Sequence, residues 1–233
     1  MINKNNPKAQ NSTSKIDLKF NTKFIKSPWL VNYWTFNSHI KDVIGGAHLF
    51  NGINASLTSD RFGRPLSALS LSSGFYQMPT RNYFPTGQFT ITAWLKLRAY
   101  NKFSRLIDFS NGALTDTINL NTRDDMTNFR FRLYKVNSIV GTVNSLAISL
   151  NTWTHVSLSY GNYTLSIYYN GTLKNSNQTS AEFRNMTRSY NYIGRSSNYV
   201  GGDQNLNAVV DEVKLFNKAL SQKEIEHEMN NQL

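Results

Sequence analysis

The 233-residue chain has no cysteine. That excludes disulfide staples, thiol catalysis and cysteine-ligated zinc in one step. It does not exclude a stable fold, because a domain of this length buries enough apolar surface without covalent help. No run of about 18 apolar residues occurs, so no segment is expected to cross a membrane as a helix. The opening M-I-N-K-N-N-P-K-A-Q lacks the apolar stretch of a secretory signal. Negative charge is scarce too: 14 acidic residues face 25 basic ones, for a net charge of +11. Residues 1–28 carry +5 of that excess, residues 29–130 carry +4 and residues 131–233 carry +2. The concentration in the first segment reads as a solubilising tail, or more sharply as attraction to an acidic surface. No helix-turn-helix pattern and no aromatic-basic RNA signature accompanies it, so no nucleic-acid partner is expected.

What is present favours strands. Hydrophobic residues make up 39% of the chain and aromatic residues 13%, enough for a sizeable core. Residues 1–28 are rich in Asn, Lys and Ser and read as a flexible basic arm or linker, in which Ile16, Leu18 and Phe20 can form a short edge strand. Pro28 marks the start of one domain over 29–233. Strand signals follow at Leu30 to Phe36, Ala68 to Leu71, Phe75 to Met78, Phe89 to Leu97, Leu106 to Phe109, Thr117 to Leu120 and Phe129 to Tyr134. They continue at Trp153 to Tyr160, Leu165 to Tyr169, Thr172-Leu173, Tyr190 to Ile193 and Ala208 to Phe216. Phe129, Phe131 and Leu133 share one face, with Arg130 and Arg132 on the other. Asn170-Gly171 between two strand runs predicts a two-residue hairpin. Trp94 and Trp153 are expected to fill the space between two sheets. Ser221 with Glu224 three residues on forms a capping box for one short C-terminal helix. There is no internal repeat. About a dozen short strands without alternating helices predict an all-β sandwich.

Seven segments, in order, resemble the laminin-G-like family of concanavalin A-like jelly rolls. L-V-N-Y-W-T-F-N at 30–37 is similar to its opening strand, and D-R-F-G-R-P-L-S-A-L-S-L at 60–71 to its D-R-F-G segment. F-T-I-T-A-W-L-K at 89–96, W-T-H-V-S-L-S-Y at 153–160 and L-S-I-Y-Y-N-G-T-L at 165–173 follow the pattern. So do N-Y-I-G-R at 191–195 and V-D-E-V-K-L-F-N-K-A-L-S-Q-K-E-I at 210–225. The resemblance implies a two-sheet antiparallel jelly-roll sandwich that recognises a glycan or protein surface, in an extracellular or cell-surface setting, beside other domains of a longer chain. An accessory domain without a small-molecule site is the alternative. The resemblance also implies a structural calcium at Asp211, to which Asp42 and Asp203 could contribute oxygen ligands. L-S-S-G-F-Y at 71–76 departs from the family by losing two acidic positions.

Candidate chemistry is sparse. His155 stands alone in a strand without a signalled triad partner. His39 and His48 lack metal spacing, and His227-Glu228 lacks the second histidine of a zinc-protease helix. Glu224, Glu226 and Glu228 would line one face of a strand, but in the capped helix residues two apart diverge. No other carboxylate pair has the spacing that glycoside hydrolysis requires, so no enzyme is expected. Sequons at Asn11, Asn54, Asn162, Asn170, Asn177 and Asn185 are no more than this Asn-, Ser- and Thr-rich composition yields by chance. Tyr199, Asn198, Tyr76 and Tyr100 combine aromatic platforms and an amide, the chemistry of a sugar-binding loop, with Asp203 beside them.

Overall fold

A computed structural model describes residues 24–112, 114–123, 128–136, 138–198 and 202–233. The strands are β1 (Leu30–Trp34), β2 (Phe50–Thr58), β3 (Ala68–Met78), β4 (Phe89–Leu97), β5 (Arg105–Ser110), β6 (Ile118–Asn121), β7 (Asn128–Lys135) and β8 (Ser138–Leu146). They continue as β9 (Thr154–Gly161), β10 (Thr164–Tyr169), β11 (Thr172–Gln178), β12 (Tyr190–Ile193) and β13 (Leu206–Phe216), followed by the helix α1 (Gln222–Asn230). All pairings are antiparallel, along the path β11-β10-β9-β4-β13-β3-β12-β5-β6-β7-β8, with β1 added to β13 and β2 to β3. The strand expected near Ile16 lies outside the described residues.

Two halves of this path pack face to face as a jelly-roll sandwich. Phe89 of β4 meets Phe131 of β7, and Phe129 of β7 meets Tyr169 of β10. The halves join where β3 passes from β13 to β12, around Gly74. A side chain at Gly74 would place its Cβ 2.2 Å from the Asn54 carbonyl, so only glycine fits there. At the far seam the edge of β8 is closed by side chains rather than by a ladder. Asn175 donates to the Asn144 carbonyl at 2.8 Å, Asn177 to Thr142 at 2.9 Å and Tyr169 to Leu146 at 2.9 Å. The edge is thereby covered without a further strand.

Local chemistry accounts for most elements. Asn170 and Gly171 both take positive φ and close the β10–β11 hairpin as expected. Ser221 and Glu224 form the capping box of α1. The helix packs Ile225 against Tyr33, Phe216 and Leu220, on the side of β1 and β13 away from the main core. Asn231 donates to the Ile25 carbonyl and accepts from its amide, so residues 24–28 are docked on the domain and are not part of a free arm.

Two expectations need correction. Trp94 is not between the sheets: it pairs with Asp211 and His155 on the side away from the core. Its ring carries the Arg61 guanidinium at 4.4 Å, and Lys96 stacks on Trp153 in the same way at 5.3 Å. The fully buried tryptophan is Trp34, whose indole donates to the Ala47 carbonyl at 2.9 Å. Strands β2 and β8 were not foreseen, because glycine and asparagine interrupt their patterns and leave mostly exposed positions.

Phe89 is fully buried at the centre of the sandwich, touching Phe84, Phe131, Tyr160 and Phe183. Replacing Phe89 with Ala should lower stability by about 3–5 kcal/mol, read as a fall in the urea midpoint with the m-value unchanged.

Candidate recognition face on the second half of the sandwich

Alternation along β5, β6, β7 and β8 sends Ile107, Phe109, Ile118, Leu120, Phe129, Phe131, Leu133 and Val143 into the core. The residues between them face the other way. The register lines these up across the strands: Gln77, Tyr192, Asp108, Asn119, Arg132 and Thr142 form one row. Arg105, Asn121, Arg130 and Asn144 form the next. The result is a continuous band of amides, guanidinium groups, tyrosine and carboxylate on a rigid sheet.

Arg105 organises one end of the band. It is nearly buried and lies 3.2 Å from Asp203 and 3.5 Å from Asp108, while also donating to the Phe103 carbonyl. Burial pushes the Asp108 carboxyl up to about 6, against the opposing pull of Arg105. Arg132 donates to the Tyr134 hydroxyl at 3.2 Å, and Arg130 to Asn144 at 3.3 Å. Arg195 stacks on Phe75 and Tyr192, whose rings meet edge to face. Beneath this layer several polar atoms have no hydrogen-bond partner: both side-chain atoms of Asn119, Asn121 Oδ1 and Arg132 Nε. Asn119 is 1% exposed. Buried amides are bonded in the great majority of cases, so this concentration needs a chemical reason.

The family model of the concanavalin A-like lectin/glucanases superfamily matches residues 72–226. The chain belongs to this superfamily. No curated protein matches it in sequence. Among solved structures, domain 4 of AbnA, an extracellular GH43 arabinanase from Geobacillus stearothermophilus in complex with arabinotriose, aligns over 85% of this chain and 97% of its own, with a TM-score of 0.68 and 15% identity. The binding domain of Paraclostridial Mosquitocidal Protein 1 aligns at a TM-score of 0.65 and 18% identity over 85% of this chain, which spans 51% of that one. Trypanosoma rangeli sialidase aligns at a TM-score of 0.64 and 20% identity over 86% of this chain, which spans 32% of the sialidase. At these identities the likeness is one of fold.

The superfamily motifs meet on the opposite half of the sandwich. Asp60 closes the D-R-F-G turn by accepting from the amides of Phe62 and Arg64 and from the Arg64 side chain. That turn aims Arg61 at Asp211, 2.9 Å away, in an ion pair whose side chains are 6% and 1% exposed. Trp94 and His155 pack beside them, edge to face. The motifs interlock a loop and three strands.

The residues expected to hold calcium are not brought together. Asp211 is taken by Arg61 and by the Glu212 amide. Asp42 accepts from the backbone amides of Tyr33, Ile44, Gly45 and Ala47 and from the Asn32 side chain. Burial raises its pKa, but these donors outweigh burial and hold the carboxylate below its usual range. Asp203 pairs with Arg105. Among the described residues no group of three or more His, Asp or Glu is arranged for a metal ion. The expected sugar contacts also separate. Tyr76 packs against the core, and Tyr100 donates to the Ile148 carbonyl at 2.8 Å. Asn198 accepts from Ser196 through its carbonyl, and Tyr199 lies outside the described residues. His155 is buried, and that burial, with Lys214 and Arg61 nearby, lowers its pKa to about 3.

Asp108 provides a pH test. Its folded pKa of about 6 lies above the unfolded value of about 3.9, so the folded state binds the extra proton in between. Its contribution is therefore lost as pH rises from about 4 to 6 and level above that. Urea midpoints of Asp108→Asn should lack this decline when compared with the parent across the same window.

Proposed function

We propose that this chain is a non-catalytic recognition module that binds glycan through the band on β12, β5, β6, β7 and β8. The observation that carries the reading is the Asn119 amide, buried with neither atom bonded. The unpartnered atoms around it are mixed. Asn119 Nδ2 and Arg132 Nε can donate, while Asn119 Oδ1 and Asn121 Oδ1 can accept. Neighbouring sugar hydroxyls both donate and accept, whereas a sulfate only accepts. Tyr192 and Tyr134 add half-buried rings beside the polar groups, the usual mixture of a small-ligand site. The arabinotriose bound by the arabinanase domain of the same fold agrees with this choice of ligand class.

The lack of catalysis is argued from the same groups. Glycoside hydrolysis needs two carboxyl groups with the scissile bond between them. Here Asp108 and Asp203 share one guanidinium, so Arg105 stands where a bond would have to lie. Glu224 is used in the capping box of α1, and Glu228 pairs with Lys214. An extracellular setting fits a glycan ligand, and among the described residues no helix is long and apolar enough to cross a membrane.

A glycan array of the full chain, with and without EDTA, tests the proposal. The expected result is a glycan hit that EDTA leaves unchanged, since Asp42, Asp203 and Asp211 are already bonded. Asn119→Leu should weaken binding of that glycan about tenfold, the equivalent of one lost hydrogen bond of about 1.4 kcal/mol. The same variant should not lower Tm, because an unbonded buried amide contributes nothing to stability. An array without hits leaves the structural accessory domain as the correct reading, and a hit indifferent to both Asn119→Leu and Arg132→Ala rules out the band as the binding site.

A further inference from the structure

One end of the sandwich carries a cleft of about 530 Å³, formed by the residues before β4, the β9–β10 turn and the segment between β11 and β12. We propose that this cleft is a second saccharide site, separate from the band on β5–β8, and that it takes a short neutral sugar. The volume lies within the range of small-ligand sites, about 300–1,000 Å³. Its aromatic floor is firm. Phe183 packs against Phe84, Phe89 and Tyr160, and the Arg188 guanidinium supports its ring from 4.6 Å.

The wall is built around Tyr163. The β9–β10 hairpin has two turn residues, Asn162 at φ 49 and Tyr163 at φ 59. Such turns favour glycine at the second position, as in the Asn170-Gly171 turn at the other end of β10. A bulky residue at positive φ is strained, and strain of this kind collects at functional loops. The strained backbone presents the ring 45% exposed at the cleft, with its hydroxyl donating to Glu182 at 2.8 Å. Tyr163 therefore supplies a stacking face and an oriented acceptor beside it.

Charge selects the class of ligand. Arg184 in the wall is held by both oxygens of Asp116, at 3.1 and 3.3 Å. Glu182 is satisfied by Tyr163. Glu182 and Lys135 line the cleft with opposite charges and Arg184 is paired, so the lining carries no net charge, and the remaining groups, among them Gln88 and Asn162, offer amides and hydroxyls to a neutral polyol.

The test is residue-resolved NMR of the full chain during separate additions of glucose, galactose, arabinose, maltose, lactose and sodium sulfate. At least one sugar should shift the amides of residues 86–88, 161–164 and 182–185, whereas sulfate should leave them in place. Tyr163→Gly, which relieves the turn, should reduce that sugar's affinity at least tenfold without lowering Tm, and Tyr163→Phe should reduce it less. Shifts that survive Tyr163→Gly, shifts from sulfate alone, or no shift in these loops with any sugar would overturn the proposal. Shifts confined to residues 107–110, 118–121 and 130–133 would support the band while counting against the cleft, so failure of one site is distinguishable from failure of the other.

Discussion

The period of two along β5, β6, β7 and β8 is the constraint on which both the core and the polar band depend. Phe109 can face the core only if Asp108 faces away from it, and the same holds for Leu120 with Asn119 and Phe131 with Arg132. A slip of one residue in any of these strands would put a charge or an amide into the sandwich and an aromatic ring into water. Burial of the apolar set therefore fixes the polar set. The row from Gln77 to Thr142 is assembled by hydrophobic packing on the far side of the same backbone, which gives side chains from six strands a common and rigid support.

Strand β13 performs the complementary task of organising the first half. It pairs with β3 and β4 in its first part and with β1 and β4 in its last, across an irregularity at Asp211 to Lys214 where Glu212 takes a positive φ. The irregularity gathers charge: Asp211 to Arg61, Glu212 to the Tyr33 hydroxyl, and Lys214 to the carbonyls of Glu228 and Asn231 at the end of α1. A cation at the last carbonyls of a helix is favourable and satisfies groups that the helix leaves unbonded. The motif residues by which the superfamily is recognised are thus spent on holding the fold. The aspartate that suggested calcium is paired with a guanidinium.

Much of this was legible in the sequence, for physical reasons that also mark where legibility ended. Strong alternation made β4, β7 and β9 readable, and Arg130 and Arg132 could be assigned to the side away from Phe129, Phe131 and Leu133. The Asn170-Gly171 turn and the Ser221 cap were readable because their chemistry is local. Strand β2, with Asn51 and Asn54 at positive φ, offers no such pattern. Trp94 was misplaced because size alone suggested the interior, whereas its neighbours in register are His155 and Asp211. The polar band needed alignment of strands distant in sequence, so Asn119 and Asp108 carried no local signal. What could have pointed to them is that β6 and β7, whose inner faces are wholly apolar, carry Asn119, Asn121, Arg130 and Arg132 at the alternate positions.

The polar band on one half and the ion pairs on the other underlie the proposal of a module that holds a ligand without transforming it. The measurement that tests this most directly is a crystal structure of the chain grown with its tightest-binding glycan. The predicted result is a sugar with hydroxyls within hydrogen-bond distance, about 2.7–3.2 Å, of Asn119 Nδ2 and Arg132 Nε. A sugar seated away from the band, with ordered water closing the Asn119 amide instead, would contradict it.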